Sequence, residues 1–224
     1  MAFINPDMVL FDLDGTLVDS VPDMAWSVDT MLDLIGLPRC GEQKIRQWIG
    51  DGLENLIKSA LTGDMHTEPD SSLFDEAFRL FLDIYADNTC RATCVYDGVE
   101  TALDYLRTNK YKLGCVTNKR EQFTCRILEA LDIKNHFGIV ISGDTLPRKK
   151  PDPLPLFHAA EFFNAKPANS LMVGDSVNDI TAARAAGLHV ICVSYGYNHG
   201  RDIREAAPDA VIDSLAQLPI LLTA

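Results

Sequence analysis

Two aspartates separated by a single leucine follow directly on an apolar run: Val9, Leu10 and Phe11, then Asp12, Leu13 and Asp14, with Gly15 and Thr16 next. Side chains alternate in direction along extended backbone, so Asp12 and Asp14 are expected on one side and Leu13 in the packing on the other. Gly15 permits the sharp turn such a strand end needs. Two carboxylates held this close repel each other and are costly to desolvate, which makes a cation between them their natural complement. An oxygen donor set of this kind suits magnesium. The same residues also form a common surface turn, so the tetrapeptide alone leaves both readings open.

Three later groups have comparable potential. Thr117 and Asn118 close the apolar run 113–116 with a hydroxyl and a turn, whose donors suit phosphoryl oxygens, although a threonine at a strand end is ordinary. Lys149 and Lys150 read at first as a solvated basic loop, but Pro151 and Pro153 stiffen the backbone that aims Lys150. In Gly174-Asp175-Ser176-Val177-Asn178-Asp179, Asp175 can complete an octahedral magnesium shell with Asp12 and waters. Asp179 could simply complement the dipole of the helix that starts there.

These groups need elements to bring them together. From Tyr96 onward, helices over 99–108, 121–131, 153–163 and 178–186 alternate with strands at 113–117, 139–142, 171–174 and 190–193, and a short strand follows at 210–212. Apolar strands separated by helices imply a parallel sheet covered on both faces with right-handed crossovers. Ligands of such sheets bind beyond the carboxyl ends of the strands, where the polar residues above fall. Between the first strand and this region the pattern is helical. Apolar residues recur at helical spacing over 21–35, over 45–61 with a break at Gly50-Asp51-Gly52, and over 73–85 after the start signal 69–72. Residues 19–94 thus read as a helical bundle inserted after the first strand. The glycine break reads equally as a helix kink or as backbone approaching a substrate.

Composition narrows the partners. The 224 residues are 47% apolar, with 32 acidic against 20 basic residues and a formal net charge of -12, which disfavours nucleic acid or anionic lipid as a partner. The first seven residues lack the basic and apolar regions of a secretory leader, and no run is long and apolar enough to span a membrane. Six cysteines without paired spacing point to free thiols and a reducing cytoplasm, and the five histidines show no metal-ligand spacing.

Taken in order, Asp-x-Asp, then Thr, then Lys-Pro, then Gly-Asp-x-x-x-Asp, each after an apolar strand, the chain resembles the haloacid dehalogenase (HAD) superfamily of phosphatases. The stretch 12–20 is similar to that family's first motif, the resemblance runs essentially full length, and no motif residue departs from it. The helical insert resembles the family's cap, and the segments 143–153 and 195–200 resemble the bacterial phosphoglycolate phosphatases within it. The implied fold is α/β, a Rossmann-like parallel sheet core over 1–18 and 95–224 with an all-helical cap over 19–94.

The resemblance also implies roles. Asp12 is expected to attack phosphorus and form an aspartyl phosphate, and Asp14 to act as general acid and then base. Mg2+ is expected on Asp12, the backbone carbonyl of Asp14 and Asp175, with Asp179 orienting its surroundings. Thr117, Asn118 and Lys150 are expected to bind the phosphoryl oxygens. The implied substrate is a small phosphate ester, 2-phosphoglycolate, hydrolysed to glycolate and phosphate. The alternative is a phosphatase or phosphomutase of the same family acting on another small ester such as a sugar phosphate. A receiver module is disfavoured because receivers carry adjacent acids on the first strand, and a non-catalytic phosphate sensor because no acid is missing. Arg46, Lys58, Lys119, Arg148 and Arg184 are all candidates for the residue that reads the substrate's far end, and monomer and dimer both stay open.

Overall fold

A computed structural model describes residues 5–222; residues 1–4, used above in the reading of a leader, lie outside them, as do 223–224. Strand β1 (Val9–Phe11) leads into the short β2 (Val18–Asp19), followed by α1 (Val21–Leu34), α2 (Glu42–Trp48), α3 (Leu53–Thr62) and α4 (Ser71–Asn88). Next come β3 (Cys94–Val95), α5 (Val99–Thr108), β4 (Leu113–Val116), α6 (Glu121–Ala130), β5 (Ile139–Ile141) and α7 (Leu154–Phe163). The described chain closes with β6 (Leu171–Gly174), α8 (Val177–Ala186), β7 (His189–Val193), β8 (Ala210–Ile212) and α9 (Leu218–Leu222).

Six strands form a parallel sheet in the order β5-β4-β1-β6-β7-β8. The period-two alternation sorts its side chains into two cores. Val9, Phe11, Cys115, Val173 and Ile191 face helices α5, α6 and α9, while Leu10, Met172, Val190 and Cys192 face α7 and α8. Both faces are therefore covered, as the continuous apolar strands require. From β1 the chain builds outward to β4 and β5 on one side, then crosses to β6, β7 and β8 on the other. The switch in direction lies at β1, so the ends of β4, β1 and β6 meet where such sheets place their ligands.

The four helices α1 to α4 pack on one another through Val28, Met31 and Leu32 of α1, Ile57 of α3, and Phe81 and Tyr85 of α4, all buried. Helix α4 starts as its sequence signal requires, with the Asp70 carboxylate accepting from the Ser72 and Leu73 N–H groups. This third core also takes in Phe123 of α6 and Tyr197 of the loop after β7, so the helices are packed onto the sheet's carboxyl edge.

Two expectations change in detail. The insert is not wholly helical at its boundaries: Val18 and Asp19 pair antiparallel with Val95 and Cys94, so a two-stranded ribbon straddles both proposed borders. The apolar pattern over 45–61 is two helices rather than one kinked helix, because Gly50 (φ +130°) and Gly52 (φ +97°) adopt backbone conformations that a helix interior cannot. Asp23 of α1, nearly fully buried, accepts hydrogen bonds from the Arg91, Ala92 and Thr93 N–H groups at 2.8–2.9 Å and from the Thr93 hydroxyl at 2.7 Å. It ties the first insert helix to the returning chain.

Candidate active site

The three adjacent strands β4, β1 and β6 end in Thr117, Asp12 and Asp175, and the loop after β5 delivers Lys150. Asp12, Asp14, Thr117, Asn118 and Asp175 line one cavity of about 550 Å³, open solvent at its mouth included. Its opposite wall is Met24 of α1 with Ile49, Leu53 and Leu56 of the α2–α3 region. Leu13 is fully buried in the sheet core, as the alternation of Asp12 and Asp14 demanded. Gly15 turns at φ +83°, and a Cβ there would lie 2.3 Å from Asp175 Oδ2, so the turn and the approach of the third acid both require glycine.

Lys150 is not a solvated loop residue. Its Nζ forms an ion pair with Asp12 Oδ1 at 3.0 Å and donates to Asp179 Oδ1 at 2.6 Å, and its side chain is 1% exposed. It sits behind Asp12 and is not among the residues lining the cavity. Burial alone would lower its pKa, but Asp12 and Asp179 together raise it, so the ammonium is retained. Asp179 serves both readings at once. Its Oδ2 accepts from the Asp175 N–H (3.2 Å), the Ser176 N–H (3.1 Å) and the Ser176 hydroxyl (2.8 Å), capping α8, while Oδ1 holds Lys150.

Asp175 is held from two sides, by the Thr16 hydroxyl at 2.8 Å and by the Tyr197 N–H at 2.7 Å. Carboxylate oxygens of Asp12, Asp175 and Asp179 all lie within 4.8 Å of one another. Burial, the largest cause, pushes Asp12 up to about 7 despite Lys150. Burial again, with Asp12 and Asp179 nearby, raises Asp175 well above the carboxylate range. Three acids, Asp175 and Asp179 buried and Asp12 half-buried, thus face a single lysine, and the uncompensated negative charge is what a hard divalent cation neutralises. The residues present fit such an ion. Asp179 belongs to this cluster more closely than the sequence reading placed it, whereas the Asp14 carboxylate lies outside it.

Asp14 instead pairs with Lys119, whose Nζ lies 3.0 Å from Oδ1 and 3.2 Å from Oδ2, and it accepts from the Ser20 hydroxyl. Lys119 is 1% exposed at its side chain and lies over the Tyr85 ring, with Nζ 5.1 Å from the centroid. The other four candidate cations are engaged elsewhere: Arg46 with Asp19 and Glu42, Lys58 with Glu68, Arg148 with Asp152, and Arg184 with Asp209 and the Ala207 carbonyl. The Thr117 hydroxyl accepts from the Lys119 N–H at 3.2 Å. Asn118 donates to the Gly50 and Lys150 carbonyls at 3.3 and 3.0 Å, while its buried Oδ1 has no partner.

The break between α2 and α3 is docked on the sheet edge. The Gly50 carbonyl accepts from both Asn118 and Asn178 at 3.3 Å, Asn178 also donates to Asp51 at 2.9 Å, and Lys149 reaches the Asp51 carbonyl at 3.2 Å. His199 adds to this contact, with Nε2 3.6 Å from Asp51 Oδ2 and Nδ1 2.8 Å from the Gln47 carbonyl. The break is therefore backbone brought to the cavity, and Gly50 and Gly52 line it. The loop 195–199 escaped residue-by-residue reading although it braces the whole site: the Tyr195 hydroxyl donates to the Thr16 carbonyl at 2.8 Å, and the Tyr197 hydroxyl donates to Asp19 at 2.6 Å and accepts from the Ser20 N–H at 3.1 Å. Its sequence signals were a polar-aromatic cluster after a strand and the family resemblance of 195–200, neither of which assigns a role to a single residue.

Residues 9–193 match the family described as haloacid dehalogenase-like hydrolase. The sequence is 53% identical to a phosphoglycolate phosphatase of Nitrosococcus oceani over 98% of this chain and 97% of that one. It is 47% identical to a phosphoglycolate phosphatase of Nitrosospira multiformis over 96% and 94% of the respective chains. A solved structure of a predicted phosphoglycolate phosphatase from Haemophilus somnus 129PT superposes with a TM-score of 0.91 at 35% identity, covering 96% of this chain and 97% of that chain.

Proposed function

The chain belongs to the haloacid dehalogenase-like hydrolases, and on that footing we propose that it hydrolyses 2-phosphoglycolate to glycolate and phosphate with Mg2+ as its ion. The observation that carries the chemistry is the largely buried set Asp12, Lys150, Asp175 and Asp179 gathered at the carboxyl edge of the sheet. The substrate rests on the relatives' names over nearly the full chain.

Asp12 is the nucleophile: its carboxylate forms a bond to phosphorus while the ester P–O bond breaks, leaving an aspartyl phosphate. Asp14 gives a proton to the departing glycolate oxygen and then takes one from the water that cleaves the acyl phosphate. Lys150 fixes Asp12 by its 3.0 Å contact and sets a positive charge beside the phosphoryl group. The Thr117 hydroxyl and the turn at Asn118 supply donors to phosphoryl oxygens. Asp12 and Asp175, with the Asp14 carbonyl, would hold Mg2+, and Asp179 would orient Lys150 and Asp175. The ion would supply neutralisation of the phosphate charge that otherwise opposes attack by a carboxylate. Residues 19–94 serve as a cap that excludes water from the cavity, with a hinge at the ribbon of Val18, Asp19, Cys94 and Val95.

The test is a competition panel of 2-phosphoglycolate, glucose phosphates, nucleoside monophosphates and glycerol phosphates, read as kcat/KM. Preference for 2-phosphoglycolate is the expected result. A sugar phosphate or nucleotide turned over about ten times more efficiently transfers the assignment to another ester within the same chemistry.

A further inference from the structure

Of the residues lining the cavity, Lys119 is the one cation, since Lys150 lies behind Asp12. A fully buried ammonium is costly to maintain, and this one is positioned by a short turn after β4 and packed against the Tyr85 ring and Met24. Its Nζ is directed to Asp14, outside the acid cluster proposed for the ion, and it thereby holds the side chain assigned to protonate the leaving oxygen. In 2-phosphoglycolate the carboxyl carbon follows directly on the ester methylene. Whatever lies against Asp14 is therefore the nearest protein group to the substrate's carboxylate. The rest of that wall, Met24, Ile49, Leu53 and Leu56, offers no charge to receive an anion.

We propose that Lys119 is the specificity-determining residue of this site, its ammonium binding the carboxylate of the leaving group and so selecting phosphate monoesters that carry an acid beside the ester carbon. The inference rests on the phosphatase reading above. An ammonium has three donors: Asp14 presents its two oxygens to them, and the remaining contact is to the Met24 thioether at 3.8 Å, a weak acceptor that a second carboxylate approaching through the cavity would displace. The apolar wall strengthens that pairing by excluding water around it. It also explains the absence of an arginine fork in the cavity, since a single point charge suffices for a substrate this short.

The experiment compares kcat/KM for 2-phosphoglycolate with that for 2-hydroxyethyl phosphate, which has the same chain length and no carboxylate, in the wild-type protein and in Lys119→Met. Loss of a charged hydrogen bond to the substrate is expected to lower the value for 2-phosphoglycolate about 10- to 100-fold more than for the ester without a carboxylate. A lysine that acted only by placing Asp14 would lower both values by the same factor, and an unchanged ratio overturns the inference. Methionine matches the length of the stem and sits beside Met24 and Tyr85; Lys119→Gln repeats the comparison with a polar side chain should the first variant melt early. A wild-type protein that releases no phosphate from 2-phosphoglycolate instead overturns the substrate reading above, and the inference with it.

Discussion

The two walls of the cavity are built on opposite principles. The sheet side consists of charges held by charges and hydrogen bonds: Lys150 between Asp12 and Asp179, Asp175 between the Thr16 hydroxyl and the Tyr197 N–H, all of them buried except the half-buried Asp12. The helical side is apolar, and it is joined to the sheet at the α2–α3 break by hydrogen bonds to backbone carbonyls and by the half-exposed pair of His199 and Asp51. Charge arrays at low dielectric lose a great deal when one member is removed, whereas neutral contacts at the edge of water lose little. Chemistry should therefore fail sharply on one wall and access should change gradually on the other.

The sharpest test of that contrast is Asp12→Asn. An amide of the same size cannot attack phosphorus, so turnover should vanish while the melting temperature stays close to wild type; retained activity would remove the nucleophile from Asp12. Chelation should act as strongly, with phosphate release lost and restored by Mg2+. Because an ion bound only by the native protein also stabilises it, Mg2+ should raise the melting temperature of the wild type and much less that of Asp175→Asn. Lys150→Ala should cost on the order of 10²-fold in kcat by loss of a preorganised charge. It should also cost about 3–5 kcal/mol of stability, because Asp179 would be left buried without its cation. A kcat change below about threefold would move the electrostatic role elsewhere.

On the helical wall the effects should be smaller and of another kind. Asn178→Ala removes hydrogen bonds to Gly50 and Asp51 worth about 0.5–1.5 kcal/mol each and should raise KM about 3- to 10-fold with kcat little changed. A fall in kcat with KM constant would show that the break takes part in the chemistry. The smallest effect is that of pH on the contact between His199 and Asp51. The hydrogen bond with Asp51 is the largest cause raising His199 above its ordinary 6.5, against burial and Arg201, and the same bond lowers Asp51 below 3.8. A raised histidine stabilises fully below its unfolded value and a lowered aspartate above its own, so the contribution is complete between 3.8 and 6.5. It is lost as pH rises through the raised histidine value. His199→Gln should thus lower stability by about 0.2–1 kcal/mol near pH 5.5 and by less near pH 8.5, measured by thermal melts.

Legibility in the sequence follows the same division. Strands β4 and β6 and helix α5 are long enough to show their period, and each lies within a residue of the expected span. Asp12, Thr117 and Asp175 were legible because each follows such a strand directly, where backbone direction alone sets position. The ribbon of β2 and β3 was not, since two residues per strand carry no period. Lys119 was legible only as one of five cations: the target of a long flexible side chain is set by what packs around it, here Tyr85 and Met24 from the inserted helices. The approach of Gly50 was one of two equal readings of its glycine break, but its partners Asn118 and Asn178 were hidden, because they lie far along the chain. Local patterning encodes the strand ends; contacts between distant segments do not leave a period.

The Asp23 carboxylate, with its grip on three consecutive backbone amides at 91–93, has a consequence for how this architecture can be rebuilt. The chain enters and leaves the insert at a single paired crossing, and just beyond it the two strands of chain are tied together by one side chain. As a covalent connection, the segment between is equivalent to any other whose two ends lie side by side. Another set of helices, longer, shorter or differently folded, could be spliced in at that knot without shifting the register of β1 against its neighbours. The catalytic edge could then be given a new roof, and with it a new diet of esters, while every carboxylate beneath stayed where it is.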